Sequence, residues 1–162
     1  MKTIENPQVI QLQTPVPSGK ILADVEGYIN DDVIHRFKTK LDLTQVEAEQ
    51  LFLDTKRFLY ICASHSDKGP FSPTEIIDKG WHEFLMFTFS YQQFCTEFLG
   101  KFVHHWPFTP SVKVLPGGVH RSYCVAVEVF GADLSENWSI SHNDISMSNC
   151  GCDGSCGGGC NG

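Results

Sequence analysis

The stretch TQVEAEQLFLDTKRFLYIC, residues 44–62, decides how this chain is read. Thr44 and Glu47 stand in T-x-x-E spacing, in which each side chain satisfies a backbone amide at the start of a helix. Leu51, Thr55, Phe58, Leu59 and Cys62 then recur at i, i+4, i+7, i+8 and i+11. That spacing makes one buried stripe along a helix. Start signal and stripe agree, so a core helix is expected here. Cys62 lies on the stripe and reads as a small core residue.

Toward the N-terminus, Ile29, Val33, Ile34 and Phe37 at helical spacing predict a first helix over about Asp24–Leu41. Residues 1–20 hold Pro7, Pro15, Pro17 and Gly19 and read as an extended arm. Past the quoted stretch, Gly69 and Pro70 mark a loop. Ser72-Pro73-Thr74-Glu75 follows as a second capping box, with Pro at the first helical position. The helix it opens is expected to run from about Pro73 to Leu99 and to stop at Gly100. Gly80 inside that helix loses about 1 kcal/mol relative to Ala, which predicts a kink or a close helix–helix approach. Residues 107–118, PFTPSVKVLPGG, read as a loop with a role of its own. A fourth helix is expected over Val119–Phe130, capped by Gly131, although Val125, Val127 and Val129 alternate. A short turn is expected over Leu134–Trp138. The predicted architecture is a single all-α domain of four to five packed helices over residues 21–140. An extended N-terminal arm (1–20) precedes it and a flexible Cys/Gly-rich tail (141–162) follows.

The whole-chain numbers narrow the function. The 162 residues include 12 Phe, 4 Tyr and 3 Trp, so a core rich in rings is expected. A net charge of −7 is a poor electrostatic match for nucleic acid or an anionic membrane surface. No apolar run approaches the roughly 18–20 residues of a membrane span. The first residues lack the apolar stretch of a signal peptide, which makes a cytoplasmic setting with reduced thiols the expectation. Neither a G-x-S-x-G nor a phosphate-cradling glycine loop occurs.

The chemistry concentrates in Asp78-Lys-Gly-Trp-His82 and His104-His105-Trp-Pro107. Asp78 and His82 are i, i+4 and share one helical face. A carboxylate there either fixes the tautomer of a metal-bound imidazole or is itself a ligand. His104 and His105 follow Gly100, where the chain can reverse toward the helix. Adjacent side chains diverge, so one of the pair faces His82 and the other does something else. Asp78, His82 and His104 or His105 would give three ligands for zinc or another transition metal, with a fourth position open. The alternative is a set of core histidines satisfied by carbonyls and carboxylates. Trp81 points about 100° away from His82 and reads as a core anchor. Cys95 and Cys124 read as core thiols. Glu83 follows His82, but H-E-x-x-H is not completed, because position 86 is Met.

The combination Asp78-x-x-Trp81-His82, Thr88-x-x-Tyr91, Phe94-Cys95, Gly100 and His104-His105-x-Pro107 resembles the bacterial members of the glycine-rich domain-containing protein-like family. The similar segment is roughly Pro70–Pro107, with weaker echoes at Tyr123, Phe130-Gly131 and Trp138. The resemblance implies a mostly helical domain bearing this signature, without an assigned catalysis. His82 is followed here by Glu83 and Phe84, so an H-x-H cluster is absent.

Residues 150–162, CGCDGSCGGGCNG, place Cys150, Cys152, Cys156 and Cys160 on a glycine-rich chain. Four cysteines so spaced capture Zn²⁺ or Cu(I), remain reduced on a low-complexity tail, form disulfides, or serve as a modification substrate. Three functions are therefore compatible with the sequence. The first is a metal-binding or interaction protein with an undefined protein partner. The second is a metal-dependent enzyme at Asp78, His82 and His104 or His105, with Glu83 as acid–base partner. The third is a carrier or precursor whose tail another enzyme modifies.

Overall fold

The computed structural model describes residues 18–106 and 116–140. Six α-helices form it: α1 Ser18–Gly27, α2 Asp31–Leu41, α3 Gln45–Ser64, α4 Glu75–Leu85, α5 Thr88–Phe94 and α6 Gly118–Phe130. A π-helical turn, Cys95–Leu99, extends α5, and a 3-10 turn, Glu136–Trp138, follows α6. No strand occurs among the described residues. The all-α expectation holds.

α3 is the centre, with α1, α2, α4 and α6 all packed against it. Its start is the expected capping box: Thr44 accepts from the Glu47 amide, and the Glu47 carboxylate accepts from the Thr44 amide at 2.8 Å. Leu51, Thr55, Phe58 and Leu59 of the stripe are buried. The core is ring-rich: Phe52 meets both Phe37 and Phe84 edge-on, and Phe84 meets Tyr91 in the same way.

Two expected helices are broken, and each break has a physical cause. The first predicted helix divides at residues 28–30. Asn30 accepts from the Val33 amide and caps α2, whose first turn carries Asp31 and Asp32. The Tyr28 ring turns inward against Phe94 and Phe98, while Ile29, expected on the buried face, is 73% exposed. Buried Lys56 holds the break, donating to the carbonyls of Glu26 and Tyr28 at 2.6 Å each. Burial lowers its ammonium to about 8; Glu26 pulls it up and Arg57 pushes it down, both by less. α1 starts at Ser18, inside the stretch assigned to the arm; the rest of the arm and the tail lie outside the described residues.

The second break falls at residues 86–87, where Phe87 leaves helical geometry and its amide donates to the Phe84 carbonyl. The helix also starts later than expected. Thr74, not Ser72, is the N-cap; its hydroxyl accepts from the Ile77 amide and donates to the Asn137 carbonyl at 2.6 Å. Ser72 instead pairs with Ser122 of α6. Gly100 ends the π turn in the left-handed region, with φ 70°, as its place in the sequence suggested. α6 and the Gly131 stop lie where the sequence put them, within a residue.

No motif in the sequence marks Asp54. It is fully buried on α3 and gathers the segment after α6. Its carboxylate accepts from Ser135 at 2.6 Å, Asn137 at 2.8 Å, the Trp138 indole at 2.9 Å and Gln50 at 3.1 Å. Four donors satisfy a buried carboxyl group that would otherwise be costly.

At Gly80 α4 presses closely on α3. A Cβ there would lie 2.6 Å from Thr55 Oγ1 and 3.2 Å from Leu51 Cγ. Thr55 is tied to the Leu51 carbonyl at 2.8 Å and has no free rotation to offer. Gly80→Ala should therefore destabilise the fold by roughly 1–3 kcal/mol through overpacking, despite its better helix propensity. Urea unfolding checks this, and a gain in stability would refute the close approach.

Burial pushes the Cys62 thiol up to about 12, against a weaker downward pull from Lys101. The unfolded thiol ionises near 9, so this contribution is whole below pH 9 and is lost as pH rises through 12. Cys62→Ala should lose stability less steeply than the natural chain across that window, as read by urea midpoints at successive pH values.

Candidate metal centre

The buried residues of α4 are Ile77, Gly80, Trp81 and Phe84. At about 100° per residue, Asp78 and His82 stand on the side opposite Gly80 and face outward. The irregular segment 100–106 returns from Gly100 and brings His105 to them. His105 Nε2 lies 2.9 Å from Asp78 Oδ1, and His82 Nδ1 lies 3.3 Å from Asp78 Oδ2. The two imidazole centroids are 4.2 Å apart. One potential ligand atom from each of Asp78, His82 and His105 falls within 4.8 Å of the other two. Three ligands about 2.1 Å from one zinc span at most about 4.2 Å, so modest side-chain rotation closes the set.

The histidine pair divides. His105 joins the cluster, whereas His104 packs on Phe102 at 4.7 Å and is not part of it. His105 is the sheltered member, 14% exposed, against 37% for Asp78 and 52% for His82. The site is thus open to solvent on the His82 side.

Hydrogen bonding already orients the rings. His82 Nδ1 is 2.7 Å from the backbone carbonyl of Asp78, which can only accept. Nδ1 therefore carries a proton, and in the neutral ring Nε2 keeps its lone pair for a metal. To hold a metal, the Asp78 carboxylate and His105 Nε2 would both have to present lone pairs, as ligation requires deprotonated donors.

Trp81 combines two roles that the sequence reading separated. It is buried, as expected of a core anchor, and its ring packs on Phe58. The same ring also meets His105 edge-on at 4.5 Å, so it forms the apolar wall of the site. Glu83 turns the other way. Its carboxylate pairs with Arg36 of α2 at 2.5 Å and braces α4 against that helix. A groove of about 720 Å³ opens beside Asp78, between the start of α4 and the 3-10 turn, with Thr74, Glu75, Glu136 and Asn137 among its walls. Cys62, Cys95 and Cys124 are not in the cluster. Cys150, Cys152, Cys156 and Cys160 lie outside the described residues.

No described helix is long and apolar enough to cross a membrane. Comparison with curated proteins and with solved structures gives no match. The UCP032817-like family model matches residues 28–123, which run from the first helix break to the middle of α6 and include the whole Asp78, His82 and His105 cluster. The chain belongs to the UCP032817-like family.

Proposed function

We propose that this protein binds a divalent transition metal, zinc in the first instance, through Asp78, His82 and His105. The observation that carries the reading is the meeting of two histidines and a carboxylate from separate segments, with ligand atoms within 4.8 Å. Neutral imidazoles with one carboxylate suit zinc and its neighbours and leave coordination positions open. The Glu83 carboxylate is engaged by Arg36, so the acid–base partner of the enzyme reading is occupied elsewhere, and binding is the reading favoured here. We keep kinship with the glycine-rich domain-containing protein-like family as part of this proposal. The Asp78, Trp81, His82 and His105 positions of that signature are the ones that meet in space.

Zinc titration of the full chain with Cys150, Cys152, Cys156 and Cys160 replaced by Ser tests the domain site free of tail thiols. His105→Ala should weaken zinc binding by at least the roughly 10–100-fold typical of losing even an outer partner. His104→Ala should leave it unchanged. Equal effects of the two substitutions would contradict the assignment.

A further inference from the structure

Tyr91 of α5 is buried, and its hydroxyl sits between two groups of the site's supporting wall. It accepts from the Trp81 indole N–H at 3.0 Å and donates to the Val103 backbone carbonyl at 2.5 Å. Trp81 is the residue whose ring meets His105, and Val103 lies two residues before His105 in the irregular segment. The Tyr91 ring also meets Phe102 of the same segment edge-on at 5.3 Å.

From these contacts we infer that Tyr91 is a positioning residue for the metal centre, setting the place of His105 relative to Asp78 and His82 through Trp81 and Val103. The inference rests on the metal-binding reading. Its physical basis is that segment 100–106 has no helical hydrogen bonds of its own to fix it. Two residues of chain span at most about 7 Å, so a shift of Val103 passes to His105 with little slack. Metal–ligand distances in well-formed sites lie within about 0.2 Å of their usual values, so the ligands must be well placed. Removing the hydroxyl leaves a buried indole N–H and a buried carbonyl without this partner, and both groups then move toward other partners. Tyr91 touches no metal ligand atom and acts only through its neighbours.

Cobalt(II) titration of the full-length protein under reducing conditions tests this. Visible d–d bands report nitrogen and oxygen ligation, while a near-ultraviolet charge-transfer band reports thiolates of the tail. The natural chain should show a domain band without thiolate character. Tyr91→Phe should weaken the affinity read from that band by roughly 10–100-fold, the scale of an outer-partner loss. Thr44→Ala, which removes the capping box at the start of α3, serves as a stability control; it should lower the thermal midpoint and leave cobalt affinity unchanged. If Tyr91→Phe binds cobalt as tightly as the natural chain, the positioning role is overturned and metal binding stands. If Thr44→Ala weakens cobalt as much as Tyr91→Phe, the effect is general destabilisation, and the positioning role is again overturned. If the natural chain itself shows no domain band, the metal reading falls and takes the positioning role with it. Should Tyr91→Phe fail to fold, Trp81→Phe withdraws the indole donor and keeps a ring beside His105. Unchanged affinity in that variant overturns the relay.

Discussion

The close contact of α4 with α3 at Gly80 is the constraint on which the rest depends. With hydrogen at that position, Leu51 and Thr55 reach the α4 backbone, and the helix is pressed onto the centre of the fold. Once that face is fixed, helical geometry leaves no choice about the others. Ile77 and Phe84 flank the contact inside, Trp81 lies to one side at the buried edge, and Asp78 and His82 point outward. The side-chain chemistry of the site is a consequence of which face of α4 had to be buried. Arg36, paired with Glu83, secures the same helix from α2.

At three places irregular backbone is held by buried polar side chains. Lys56 gathers the carbonyls at the end of α1, Asp54 gathers the donors after α6, and Tyr91 takes the carbonyl of Val103. Each answers the same physical demand. A segment without helical hydrogen bonds still has polar backbone groups, and where these meet the core they need partners. α3 supplies two of the three anchors from positions next to its apolar stripe, so one helix carries both the core and the ties that place the loops. The His105 segment differs in being tied through α5 and α4, and the histidine therefore follows the elements that carry its partners.

Local signals were the legible part of the sequence. The Thr44–Glu47 capping box, the stripe from Leu51 to Leu59 and the Gly100 and Gly131 stops depend on residues close in the chain, and the structure has them in place. The Asp78–His82 pair was readable for the same reason. The breaks at residues 28–30 and 86–87 were not read. The first had a local sign in Asn30-Asp31-Asp32, a cap followed by an acidic turn, which the apolar spacing of Ile29 and Val33 concealed. The second has no such sign, since Phe87 caps α5 without a side-chain hydrogen bond. Asp54 and Tyr91 were invisible as anchors because their partners lie 84 and 12 residues away, in Trp138 and Val103. The choice between His104 and His105 was beyond the sequence as well, for it turns on where Val103 is held.

The central claim is that zinc is held by imidazole and carboxylate of the domain. X-ray absorption at the zinc edge tests it most directly, on the full chain with its four tail cysteines replaced by Ser and loaded with one equivalent of metal. The account predicts a first shell of nitrogen and oxygen near 2.0–2.1 Å with the outer scattering of two imidazoles, and loss of one imidazole in His105→Ala. A sulfur shell near 2.3 Å, or failure of this chain to retain zinc, would contradict it.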